Sequence, residues 1–155
     1  MKVDRLLERL EKLRAQNVGL DVLLEAAVRG VNELSPRFHW TGIYELFPDD
    51  VLRLGPFVGP PTDHVFICVG RGVCGTAVAE KRNMNIPDVR RIANYLACSA
   101  TTRSELVVLI RTGDTIHAQI DIDSNEVAAF DDDAVTQVQR IADWLAELYQ
   151  ARRAA

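Results

Sequence analysis

Residues 105–123 read ELVVLIRTGDTIHAQIDID, two β-branched, apolar-rich runs around the turn TGDT. A Gly-Asp pair at the centre of such a short connection is a hairpin signal, so the chain here runs out along one strand and back along its neighbour. The strand period of two puts Asp121 and Asp123 on one face, roughly 7 Å apart along the strand. The return strand lies beside Glu105, which opens the first run.

Outward from this hairpin the other elements fall into order. Upstream, FHWTGIYEL and VLRLGPFVG flank PDD and read as a second hairpin, and HVFICVG reads as a further short strand. RGVCGTAVAEKR opens a helix behind a glycine-rich turn. Two amphipathic helices precede the strands: Val3, Leu6, Leu7, Leu10 and Leu13 form one stripe, and Leu20, Leu23, Leu24, Ala27, Val28 and Val31 another. A last helix begins at Asp131, Asp132 and Asp133, where negative charge suits the helix dipole, and presents Val135, Val138, Ile141, Ala142, Leu145 and Leu148. The order predicts an α+β domain, a mainly antiparallel central sheet with the N- and C-terminal helices packed on one face. The expected organisation is a single domain over 1–155, with helices in 1–34 and the core sheet and remaining helices in 38–150.

The whole-chain numbers fit one core and narrow the partners. The chain has 155 residues, 48% of them hydrophobic, and a formal net charge of −4. Acidic and basic residues are interleaved without a basic stripe, which argues against nucleic-acid and membrane-surface roles. No apolar run approaches membrane-spanning length, and MKVDRLLERLEKLRAQ is charged throughout rather than a signal sequence; the expected location is cytoplasmic. Three cysteines at irregular spacings suggest neither a disulfide framework nor a zinc ribbon, and His39, His64 and His117 have no metal-ligand spacing. No bound metal or cofactor is expected.

Two features carry chemistry. The Asp121/Asp123 pair reads either as a solvated strand end capping its turn or as an acidic pocket that holds a cation or ligand ammonium, or keeps one acid protonated. Glu105, beside it, favours the second reading. It also closes the irregular segment 94–105, NYLACSATTRSE, which places Cys98 within one loop of three acids. A thiolate beside a carboxylic acid pairs a nucleophile with a proton donor. Trp40 and Tyr44 share one strand face and read as core. Cys68, between Ile67 and Val69, reads as a buried small hydrophobe. Cys74 lies near a helix N-terminus, where packing and thiol chemistry are both open. Arg90, Arg91 and Arg103 read as solvated, and the first helix as cover for the domain's own sheet or as a homodimer surface.

The set HWTGIYEL, LRLGPFVG, GRGVCGTAVAE, YLACSATTRSE and IDIDS, in this order and spacing, resembles the free methionine-(R)-sulfoxide reductases, enzymes built on a GAF domain. The glycine-rich motif alone is shared by many ligand-binding GAF domains; YLAC, Glu105 seven residues later and the D-I-D pair are narrower. The resemblance implies Cys98 as catalytic cysteine, Cys74 as a second functional cysteine, and Glu105, Asp121 and Asp123 as acids around substrate amine and sulfoxide. It implies Trp40 and Tyr44 as pocket aromatics, a sulfenic acid intermediate, and recycling by an external thiol reductant such as thioredoxin. One departure stands out: the family's usual resolving cysteine, ten residues before that of GVC, is His64 here. Cys68 is roughly 13 Å further along the expected strand, beyond disulfide reach, so Cys74 or an external thiol is expected to resolve Cys98. The runner-up reading is a noncatalytic GAF module that binds a small metabolite. A cyclic nucleotide fits poorly, since the acids would repel its phosphate.

Overall fold

The protein is described by a computed structural model covering residues 2–96 and 100–154. The 105–123 hairpin is its centre. Strands β5 (Ser104–Thr112) and β6 (Thr115–Ser124) pair antiparallel from Ser104↔Ser124 to Thr112↔Thr115. Gly113 turns the chain with a φ of 57°, a conformation costly for residues with a Cβ. The upstream hairpin, β1 (Trp40–Phe47) and β2 (Val51–Val58), joins through β1 to β6. Short edge strands β3 (Phe66–Cys68) and β4 (Met84–Ile86) complete an antiparallel sheet of order β3-β2-β1-β6-β5-β4.

Both faces of the centre are covered, which is why β5 reads as a continuous apolar run rather than an alternating one. On one face lie α1 (Lys2–Ala15), α2 (Leu20–Asn32) and α4 (Asp132–Ala154), packed on Ile43, Leu106, Val108, Ile110, Ala118, Ile120 and Ile122. This matches the expected placement of the N- and C-terminal helices. Val3, Leu6 and Leu10 are buried in that layer, so α1 covers the domain's own core. The side chains of Arg140 and Asp4 meet at 2.8 Å, and Trp144 Nε1 donates to Glu11 Oε1 at 2.7 Å, tying α4 to α1. Asp131 caps α4, its Oδ1 accepting from the Ala134 N–H at 2.8 Å.

On the opposite face lies α3 (Gly72–Glu80), whose Val73, Cys74, Ala77 and Val78 share a second core with Trp40, Tyr44, Val107 and Leu109. The turn into α3 is tight. Gly70 N–H donates to the Gly75 carbonyl at 2.9 Å, and a Cβ on Gly75 would stand 2.6 Å from the Cys68 carbonyl oxygen. That approach seats Cys74 against the sheet.

One expectation is corrected here. HVFICVG yields only the three-residue β3, and along it Ile67 points inward while Phe66 and Cys68 point outward. Cys68 is therefore exposed rather than buried, because an edge strand buries only one side of its pleat. His64 precedes β3 and does not share a strand face with Cys68. The close approach at Gly75 predicts that Gly75→Ala lowers stability by about 1–3 kcal/mol through overpacking, measured by chemical denaturation. An unchanged midpoint would mean that the α3 turn yields freely.

Candidate active site

The α3-facing side of β6 presents Gln119, Asp121 and Asp123, which are 0%, 0% and 2% exposed. A strand that faces a core normally fills such positions with apolar side chains, since burying a charge costs several kcal/mol. Neighbouring strands extend the polar row: Asp123 stands opposite Glu105 on β5 and Trp40 on β1, and Asp121 opposite Val107 and Gly42. Gly42 makes room for the Trp40 ring, which would stand 2.5 Å from a Cβ there. The register thus brings Glu105, Asp121 and Asp123 together, as the hairpin predicts.

Burial sets the electrostatics. Desolvation, then the negative charge of Asp121 and Asp123, holds the Glu105 carboxyl well above the usual carboxylate range. Burial also raises Asp121, partly offset by hydrogen bonding from Glu105 and Cys74. The group therefore keeps a proton at pH values where exposed carboxyls have lost theirs. Cys74 adjoins it, with Sγ 3.8 Å from Glu105 Oε2. Gln119 fixes the Cys74 backbone, its Nε2 donating to the Cys74 carbonyl at 3.1 Å.

Two cavities open on this row. A small one, about 10 Å³, is lined by His64, Cys74, Leu96, Glu105 and Asp121 among others. A larger one, about 240 Å³, is lined by His39, Trp40, Pro60, Thr101, Thr102, Asp123 and Asn125. Trp40 thus faces the larger cavity, with its Nε1 donating to the Pro60 carbonyl at 3.0 Å. Tyr44, four residues further along β1, is fully buried and its hydroxyl donates to the His64 carbonyl at 2.7 Å, which ties the 59–65 loop to the sheet.

Cys98 lies outside the described residues, but the flanks of its segment are anchored. Asn94 Oδ1 accepts from the Gly72 N–H and its Nδ2 donates to the Gly70 carbonyl, both at 3.1 Å. Leu96 packs over Gly72, whose φ of 63° and closeness to Leu96 both exclude a side chain. Beyond, Arg103 N–H donates to the Ser124 carbonyl at 2.8 Å and Ser104 Oγ to the Glu126 carbonyl at 2.6 Å. Leu96, two residues before position 98, lines the small cavity, and Thr101, three residues after it, lines the large one.

Some contributors went unread in the sequence. Gln119 continues the i, i+2 series of Asp121 and Asp123, so the strand period could have found it. His39, whose Nδ1 accepts from the Asn125 N–H at 2.9 Å, and Asn94 carry no periodic signal. Arg90 pairs with Asp88 at 3.0 Å and Arg91 is exposed. Arg103 donates to the Ala100 and Thr102 carbonyls, bracing the segment rather than facing solvent alone.

Comparison with known proteins agrees with the geometry. The GAF domain profile matches residues 8–148. The Escherichia coli free methionine-R-sulfoxide reductase is 43% identical over 95 residues, which are 61% of this chain and 56% of that one; the match spans little more than half of the relative's length. The structure of free methionine-R-sulfoxide reductase from Neisseria meningitidis in complex with its substrate superposes with a TM-score of 0.87 at 30% identity, covering 99% of this chain and 92% of that one. The type II free methionine-R-sulfoxide reductase from Thermoplasma acidophilum superposes with a TM-score of 0.79 at 38% identity, covering 83% and 91%. With its buried acids, its glycine-turn cysteine and these likenesses, the chain belongs to the GAF domain family and, within it, to the free methionine-R-sulfoxide reductases.

Proposed function

We propose that the chain reduces free L-methionine-(R)-sulfoxide to methionine, using Cys98 as the nucleophile. The observation that carries this reading is the buried row of Glu105, Asp121 and Asp123, which retains a proton beside a cavity of metabolite size. At about 240 Å³ the cavity is smaller than the roughly 300–1,000 Å³ typical of larger ligands, which suits a free amino acid better than a peptide. Trp40 and Asp123 on its wall offer an apolar surface for the side chain and a negative charge for the ammonium group. A peptide-bonded methionine lacks that charge and gains nothing from Asp123. Tyr44 shapes the site through the His64 loop.

In the reductive step the Cys98 thiolate attacks the sulfoxide sulfur, and the oxygen leaves to the cysteine. The substrate sulfur gains two electrons and departs as methionine; the Cys98 sulfur loses two and becomes a sulfenic acid. Glu105, held protonated by its surroundings, supplies the proton that the sulfoxide oxygen needs as the S–O bond breaks. The sulfenic acid then condenses with a second thiol, releasing water and forming a disulfide. Cys74, next to Glu105 and lining a cavity with Leu96, is the thiol we assign to that step, since His64 occupies the usual resolving position and Cys68 is on the outer side of an edge strand. An external dithiol of the thioredoxin class closes the cycle by reducing the disulfide, with no bound cofactor and in the reducing cytoplasm. A second reading, a noncatalytic GAF module holding a small amine, draws on the histidine at position 64; in that case Asp123 would bind ligand and Cys98 would have no task.

Separate R and S epimers of free methionine sulfoxide, incubated with reduced protein and excess dithiothreitol, distinguish the two. Methionine is expected from the R epimer alone and is expected to vanish in Cys98→Ser; no product from either epimer with folded protein would favour the binding module. Asp123→Asn is expected to weaken binding of free methionine sulfoxide by about 10- to 100-fold, the worth of a hydrogen bond to a charged group, while leaving an analogue without the amine little changed. Equal losses for both ligands, measured by calorimetry, would remove the ammonium contact from the account.

A further inference from the structure

We propose that His39 is a specificity-determining residue that binds the α-carboxylate of the substrate. This rests on the reductase reading above, in which Asp123 meets the substrate ammonium. The first residue of a peptide carries an ammonium too, so Asp123 alone does not tell a free amino acid from such a chain end. The free carboxylate does. A site that selects the free amino acid therefore needs a hydrogen-bond donor for an anion on the same cavity wall as Asp123.

The donors on that wall divide into those already engaged and those left over. Trp40 has one, Nε1–H, and the Pro60 carbonyl accepts it at 3.0 Å. The Thr101 hydroxyl donates to Asn125 Oδ1 at 3.1 Å, and the Asn125 backbone N–H donates to His39 Nδ1 at 2.9 Å. That last contact decides the state of the histidine. A ring nitrogen that accepts leaves the ring proton on the other, so His39 presents its Nε2–H as a donor of fixed tautomer. His39 lines the cavity together with Asp123 and is itself exposed, so an entering ligand reaches it. The backbone sets the spacing. His39 N–H donates to the Asp123 carbonyl at 3.0 Å, one position outside the Trp40↔Asp123 pair, which puts the two residues on neighbouring strand ends about 4.8 Å apart. The ammonium and carboxylate of an amino acid are separated by a single carbon. An acid and an N–H donor on adjacent strand ends match its two charges. The Thr102 hydroxyl and the Asn125 Nδ2 are the other donors on this wall, and substitution at position 39 separates them from the histidine.

The test compares free L-methionine-(R)-sulfoxide with its carboxamide, which keeps the ammonium and loses the anion, by calorimetric titration in a Cys98→Ser background so that neither ligand is consumed. The free amino acid is expected to bind about 10- to 100-fold more tightly than the amide, the range for a hydrogen bond to a charged group. Adding His39→Phe is expected to abolish that preference through lost affinity for the acid, with affinity for the amide unchanged. His39→Gln, which keeps a side-chain N–H, is expected to restore part of it. A purely structural role for His39 would instead weaken both ligands alike. His39→Ala takes the place of His39→Phe if the latter does not fold. Equal binding of acid and amide with His39 in place, or no binding of the acid, would overturn the assignment. An undiminished preference in folded His39→Phe would do the same by moving the carboxylate to Thr102 or Asn125. Methionine formation by the protein with Cys98 intact reports on the reductase reading alone, so the two fail separately.

Discussion

Three carboxylates buried on one face of the β5–β6 hairpin, Glu105, Asp121 and Asp123, set the terms for everything around them. Their burial opposes ionisation, and their proximity makes each further negative charge harder to add. The arrangement carries a thermodynamic penalty with a definite sign. Glu105 and Asp121 have folded-state pKa values raised above their unfolded ones. The folded state therefore binds more protons than the unfolded state as pH rises from the unfolded pKa, and stability falls through that window up to the raised folded values. Apolar residues at these positions would avoid the loss. Acids kept there at the expense of stability are a conflict between local rule and fold of the kind found at functional sites.

The rest of the sheet offsets that penalty. Helices α1, α2 and α4 bury the opposite faces of Leu106, Val108, Ile110, Ile120 and Ile122, and each fully buried side chain of this kind contributes roughly 1.5–3 kcal/mol. Alternation along a single hairpin thus puts the stabilising residues on one side and the chemistry on the other. Helix α3 closes the chemical side. Its glycine turn and Asn94 hold the two ends of the cover, and Cys74 is delivered to the acids by the close contact at Gly75.

The hairpin, the helices at the two ends of the chain and the shared face of the acids were legible because each rests on a period that sequence displays directly. Strand β4 was not, since Met84–Ile86 is too short for alternation to register. The position of α3 was equally hidden: Gly72–Glu80 is apolar or small nearly all round, so no stripe tells which face of the sheet it covers. Cys68 misled because flanking Ile67 and Val69 suggest burial, whereas in an edge strand parity decides, and Ile67 takes the inward side. Site residues followed the same division. Asp121, Asp123 and Glu105 were found by strand register, Gln119 could have been, and Asn94 and His39 act through single loop contacts that no pattern announces.

The proposed chemistry depends on a carboxyl that keeps its proton in the folded protein at pH values where exposed carboxyls have lost theirs. The most direct measurement is a ¹³C NMR titration of the side-chain carboxyl of Glu105, assigned by comparison with Glu105→Gln. The Glu105 carboxyl is expected to titrate well above the other carboxyls. A midpoint near the ordinary glutamate value of about 4.3 would contradict it, leaving the buried row without a proton to give.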